Sequence, residues 1–166
     1  MDKPNSTPVH ILFGQPLRKW WADLKLDAGD RAILRRCATL DEVAMSAPYQ
    51  RFYRYMLGCG WPADANESQR DRLAAIAGLM AHVKESQGAR LPEAMSPLGA
   101  DKPLVSEMRF RALLRIDAVD DLFAGLRRIL PIISHQTDVS MLANDVYWWG
   151  DGVKKEWAYG YRWPAK

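Results

Sequence analysis

Apolar side chains recur at helical spacing from Pro16 onward. Leu17, Trp20, Trp21 and Leu24 follow i, i+3, i+4, i+7, the stripe of an amphipathic helix. Ile33, Leu34 and Cys37 mark one face of a short helix after Gly29-Asp30. In "TLDE", residues 39–42, Thr39 is placed to cap a helix and Glu42 to reach back, a capping box. Pro48 opens the next helix, striped by Tyr49, Phe52, Tyr53 and Met56 and ended by Gly58 and Gly60. A longer helix after "WPADANES" turns Leu73, Ile76, Met80 and Val83 inward.

The pattern lapses at 86–105, which gathers Gly88, Pro92, Pro97, Gly99 and Pro103, with a short helical piece predicted around Leu91 to Met95. It resumes in "VSEMRFRALLR", residues 105–115. At about 100° per residue, Phe110, Leu113 and Leu114 share one sector, Arg111 and Arg115 lie opposite, and Arg109 sits at the flank. "DAVDD" starts a helix striped by Leu122, Phe123, Leu126, Ile129, Leu130 and Ile133, with Pro131 bending or ending it. Asp138 caps another that holds Val139, Leu142, Ala143 and Val146 inward. Strand alternation and internal repeats are absent. The expectation is an all-α bundle of two small helical halves: a mobile tail over 1–15, a first half over 16–86, a Pro/Gly-rich linker over 87–104 and a second half over 105–166.

Composition agrees with one compact unit, or two small halves sharing an interface. Of 166 residues 48% are apolar and 26% charged, enough to fill a core. Seventeen aromatics, seven of them Trp, argue against extensive disorder. Net charge is only +3, with basic and acidic residues nearly balanced in both halves. Any anion-binding surface must therefore come from local segregation. Two cysteines without a CxxC spacing fit a reducing compartment. The opening "MDKPNSTPVHILFGQP" lacks the apolar run of a signal peptide, and no run is long enough to span a membrane, so a cytoplasmic location is expected.

Catalytic motifs are missing: there is no HExxH, GxxxxGK[ST], GxSxG or zinc-ligand spacing. His10, His82 and His135 are far apart in sequence, and His82, beside an apolar stripe, reads as structural. Asp117, Asp120 and Asp121 suit a helix start better than a metal-dependent nuclease. The arginines are the stronger signal. Arg31 and Arg35, with Arg36 at the edge, project opposite Ile33, Leu34 and Cys37. Arg51 and Arg54 project opposite Tyr49, Phe52 and Met56. Arg111, Arg115 and Arg128 extend the pattern. Residues 31–54 carry five arginines against Asp41 and Glu42, whereas an ordinary solvated face mixes both signs. Such faces suit sequence-tolerant contact with nucleic-acid phosphates, although a plain solvated face fits too. Trp148, Trp149, Trp157 and Tyr161 allow either base stacking or burial, and the i, i+4, i+8 spacing of Trp149, Val153 and Trp157 favours burial.

The succession "ILRRC", "APYQRFYR", "VSEMRFRALLR", "LFAGLRRIL" and "DVSMLANDVYWWGDGVKKEWAYGY" resembles the CasB family, the small subunit of the type I-E Cascade, a CRISPR RNA-guided surveillance complex. The resemblance covers about residues 17–161, and its most specific tracts are "SEMRFRALLR" and "WGDGVKKEWAYGY". It implies a non-catalytic all-α protein of two helical halves that pairs with a second copy beside the backbone and large subunits. Its partners would be the CRISPR RNA and the target and displaced DNA strands. No cofactor, metal, membrane or small-molecule substrate is implied. The positions it marks for nucleic-acid contact are Arg35, Arg36, Arg51, Arg109, Arg111, Arg115, Arg127, Arg128 and Lys154. The rival is a scaffold whose arginines pair with acidic partner surfaces.

Overall fold

The computed structural model describes residues 6–166. Helix α1 (Val9–Leu12) precedes α2 (Gln15–Leu26), which Pro16 enters in the first turn, where a missing N–H costs nothing. Asp27 caps α3 (Ala28–Arg36) by accepting from the Asp30 N–H at 3.0 Å. Thr39 caps α4 (Leu40–Ala44), and the Glu42 carboxylate reaches back to the Ala38 N–H at 2.9 Å, one residue earlier than the capping box predicts. Ser46 caps α5 (Ala47–Cys59), which ends at Gly60 in the left-handed region, φ 115°. Asn66 and Gln69 form a reciprocal capping box for α6 (Glu67–Met80). Then follow α7 (Leu91–Met95), α8 (Glu107–Leu114) capped by Ser106, α9 (Val119–Ile132), α10 (Val139–Tyr147) capped by Asp138, and α11 (Asp151–Gly160). The fold is all-α; among the described residues the sole β-type pairing is an isolated bridge between Glu85 and Gln136.

The second part of α6 is the axis of the core. Every residue from Leu73 to Val83 is buried, because α4, α9 and α10 cover its sides and α3 and α5 close the remainder. A one-sided stripe of Leu73, Ile76, Met80 and Val83 therefore understates it. Gly78 permits the closest approach: a Cβ there would stand 2.8 Å from the Phe123 ring and 3.1 Å from Val43 Cγ2. Since α6 lies in the first half and α9 and α10 in the second, one continuous core runs through both.

Two local expectations are corrected. Residues 6–15 are no mobile tail: Val9, Leu12 and Phe13 are buried, and Thr7 bonds the backbone of Gly60 and Cys59. An i, i+3, i+4 trio on one helical turn suffices to cover an open end of the core. The expectation for residues 1–5 lies outside the described residues. Ile33 is exposed, and Arg31 turns inward instead, donating from Nε to the Ala81 carbonyl at 3.3 Å. The Pro/Gly-rich stretch carries the short helix expected around Leu91 to Met95 and is held by side-chain and backbone contacts. Its α7 buries Leu91 and Met95, Asp138 N–H bonds Ala89 C=O, and Arg90 reaches Asp145. Pro131 sits near the end of α9, which continues only to Ile132.

Candidate nucleic-acid interface

Successive residues on a helix diverge by about 100°, so the neighbours Arg127 and Arg128 on α9 fan out to different sides of the buried Leu126–Leu130 stripe. Arg127 points toward α3. Its Nη2 donates to the Arg35 carbonyl at 3.2 Å and its guanidinium lies over the Phe123 ring at 5.7 Å. Around it opens a cleft of about 560 Å³ lined by Arg35, Arg127, Arg128, His82 and His135. On the far side of Arg128 lies an apolar groove of about 400 Å³ between α8 and α9, floored by Leu113, Ile116 and Ile129 and rimmed by Arg109. Arg128 borders both spaces. It links Arg35 and Arg127 on one side to Arg109 on the other, and among the described residues no carboxylate lines either cavity.

The remaining basic positions are not all equivalent. Arg36 and Arg115 are exposed and have no carboxylate within ion-pair distance among the described residues; Arg36 follows Arg35 on α3, and Arg115 caps the C-terminus of α8. Arg111 stands 3.7 Å from Glu107 across one helical turn, a loose exposed pair. Arg51 is held by both oxygens of Asp30, at 2.9 and 3.1 Å. Lys154 is the most committed, with its Nζ 2.6 Å from Asp117 and 5.8 Å from the centre of Trp149. With its side chain only 13% exposed, Lys154 is a structural contact in this conformation.

The aromatic question divides by residue. Trp157 is fully buried and donates to Asp145 Oδ2 at 2.9 Å, Trp149 donates to Ile116 C=O at 2.8 Å, and Tyr161 stacks on Phe110. These three are core. Trp148 alone of the four stays largely exposed, at 60%.

Two histidines join the arginines that sequence reasoning left aside. His82 follows α6 and is buried, while His135 follows α9 in a turn where Ser134 and His135 both hold φ 59°. His135 Nδ1 lies 2.8 Å from the His82 carbonyl; a carbonyl only accepts, so Nδ1 carries the proton. Burial, then Arg127, Arg35, His135 and Arg31, pushes the His82 imidazole down to about 4. His135 is lowered by burial as well, and Lys84 adds to the effect, against the hydrogen bond to His82. Both rings are therefore neutral near pH 7. Fifty-three residues separate them in the chain, so no spacing rule announces the pair.

No curated protein matches the sequence significantly. One chain of the E. coli Cascade bound to a PAM-containing dsDNA target superposes with a TM-score of 0.65 at 23% identity, covering 96% of this chain and 95% of that one. CasB from Thermus thermophilus superposes with a TM-score of 0.64 at 23% identity, covering 93% and 97%. At such identity the likeness is one of fold. Residues 30–161 also match the family model for CRISPR-associated protein Cse2. That span takes in α4 to α11 and nearly all of α3, with every basic position discussed above, and the chain belongs to the Cse2 family of CRISPR-associated proteins.

Proposed function

We propose that this protein is a non-catalytic small subunit of a type I-E CRISPR RNA-guided surveillance complex, where it holds nucleic-acid backbone and stabilises the target and displaced strands of the R-loop. The observation that carries the reading is the position of Arg128, which borders both the cleft of Arg35 and Arg127 and the groove of Arg109, with no carboxylate among the described residues that line them. Guanidinium forks meet phosphate oxygens in pairs and read no bases, so the grip suits any guide sequence. Exchange of a DNA duplex for an RNA–DNA duplex is nearly balanced, and a few kcal/mol of backbone contact tips it. Family membership and the fold shared with a chain of a DNA-bound Cascade support the setting. The partners in this reading are the backbone and large subunits, a second copy of the chain, the CRISPR RNA and both DNA strands, in the cytoplasm.

The surface would centre on Arg35, Arg127, Arg128 and Arg109, with Arg36, Arg111 and Arg115 at its margins. Arg51 and Lys154 would contribute only after releasing Asp30 and Asp117. Those two internal pairs favour the second reading, a protein scaffold without direct nucleic-acid contact. Gel-shift binding of single-stranded DNA by the isolated chain, run beside a pull-down with the other subunits, separates them. Loss of DNA binding in Arg128→Ala with assembly intact supports the first; loss of assembly with no DNA affinity in either protein supports the second.

A further inference from the structure

The cleft between α3 and α9 collects polar atoms that the protein itself leaves unanswered. Four buried side-chain atoms among the described residues lack a hydrogen-bond partner, and two of them belong to His82 and Arg127, which line this cleft; a third is on Arg31, whose charge acts on His82. His82 is only 9% exposed, and its Nε2 is one of them; Arg127 Nε is another, although Arg127 is pinned through Nη2 to Arg35 C=O. Buried polar atoms without partners are rare in native proteins, because each forfeits its hydration. Backbone strain is added at the same place. Ser134 and His135 are successive non-glycine residues in the left-handed region, held there by His135 N–H to Leu130 C=O and Lys84 N–H to His135 C=O, both at 2.8 Å. The turn sets the His135 ring against His82 at the mouth of a space lined by three arginines.

We propose that this cleft is a phosphate subsite, in which His82 Nε2 and Arg127 Nε find their missing partners in the oxygens of one phosphodiester clamped by Arg35 and Arg128. The inference rests on the backbone-binding reading and adds two histidines to it. It also makes binding proton-coupled. His135 already commits its Nδ1–H to the His82 carbonyl, so its Nε2 donates to an oxyanion only when the ring is protonated. The charged groups that act on the two rings or share their cleft are Arg31 and Arg35 of α3, Arg127 and Arg128 of α9, and Lys84 on the loop after α6, all cationic. They oppose a proton on either ring until an anion arrives to offset them. A phosphodiester keeps its single charge across the pH range 5 to 8, so its binding strengthens as the pH falls, through the imidazoles alone. The same chemistry is offered by a strand phosphate and by free phosphate.

The test uses the full chain with 15N-labelled histidines, titrated with a twelve-residue oligothymidylate and, separately, with inorganic phosphate. The expected result is movement of the His82 Nε2 resonance with both ligands. Oligothymidylate affinity should be higher at pH 5.5 than at pH 7.5, about tenfold lower in Arg35→Gln, and without the pH gain in His135→Gln. His82→Gln repeats the last measurement if it folds, and His135→Gln, on an outer turn, serves if it does not. Binding of the oligonucleotide with both imidazoles silent overturns the subsite and leaves the backbone reading standing. Response of His82 to inorganic phosphate without oligonucleotide binding upholds the subsite and removes the backbone reading. Silence of both rings with no binding overturns both.

Discussion

Arg90 grips Asp145 with two parallel hydrogen bonds, Nε to Oδ2 at 2.9 Å and Nη2 to Oδ1 at 2.6 Å. Asp145 is buried in α10, and its Oδ2 also accepts from Trp157 of α11, while Arg90 reaches Glu156 at 2.7 Å. One arginine from the stretch joining the two halves thus fastens the last two helices. Breaking a buried pair leaves a charge without compensation, so Arg90→Ala and Asp145→Ala should each cost about 3 kcal/mol or more. The double variant should cost less than the sum. Urea denaturation of the three proteins measures this, and additive losses would show that the pair is not coupled.

Close contact at Gly78 makes a second prediction about stability. The Cβ of Gly78→Ala would meet the Phe123 ring at 2.8 Å between two packed helices, so α6 and α9 must part. We expect a loss of about 1–3 kcal/mol in thermal or urea unfolding, despite the higher helix propensity of alanine. A gain in stability would contradict the packing account.

Stability should also depend on pH through His82. Its folded value of about 4 lies below the ordinary 6.5, so the unfolded chain binds a proton that the folded chain refuses. The group's contribution is complete above pH 6.5 and is lost as the pH falls from 6.5 toward 4. His135 is displaced in the same direction and adds to the trend. The melting temperature should therefore fall across that window, and the fall should be shallower in His82→Gln than in the parent protein.

Binding to single-stranded DNA should be governed by phosphates and hence by salt. Each phosphate neutralised on a single strand contributes about −0.7 to the slope of log K against log salt. Arg128→Ala, at the junction of both cavities, should reduce the steepness by about one such contact and weaken binding to all sequences alike. Lys154→Ala should leave the slope unchanged, because its ammonium is already held by Asp117 over Trp149. Fluorescence anisotropy across a salt series reads both, and a larger effect for Lys154 than for Arg128 would count against the proposed surface.

The N-terminal segment offers a simpler check. Phe13 is fully buried and meets Tyr147 edge-on, with ring centres 5.5 Å apart. Phe13→Ala should cost about 3–5 kcal/mol, measured by urea unfolding, whereas the same change in a mobile tail would cost nothing.

Helical periodicity alone settled the class of this fold. The stripes through α2, α5, α9 and α10 are local, because a side chain's direction follows from its place on its own helix, and the caps at Thr39 and Asp138 depend on neighbours three residues away. The outward direction of Arg35, Arg51, Arg111 and Arg128 was legible for the same reason. Which of them meet, and which are already spent, was not. Arg51 finds Asp30, Lys154 finds Asp117, and Arg127 finds the Arg35 carbonyl through separations of 21, 37 and 92 residues. Ile33 and Arg31 exchanged places because the helix turns its side chains toward whatever covers it, and only the packing of α3 on α6 shows which side that is. His82 and His135 looked like isolated residues for a like reason: charge, burial and hydrogen bonding act through space, and a linear pattern records distance only along the chain.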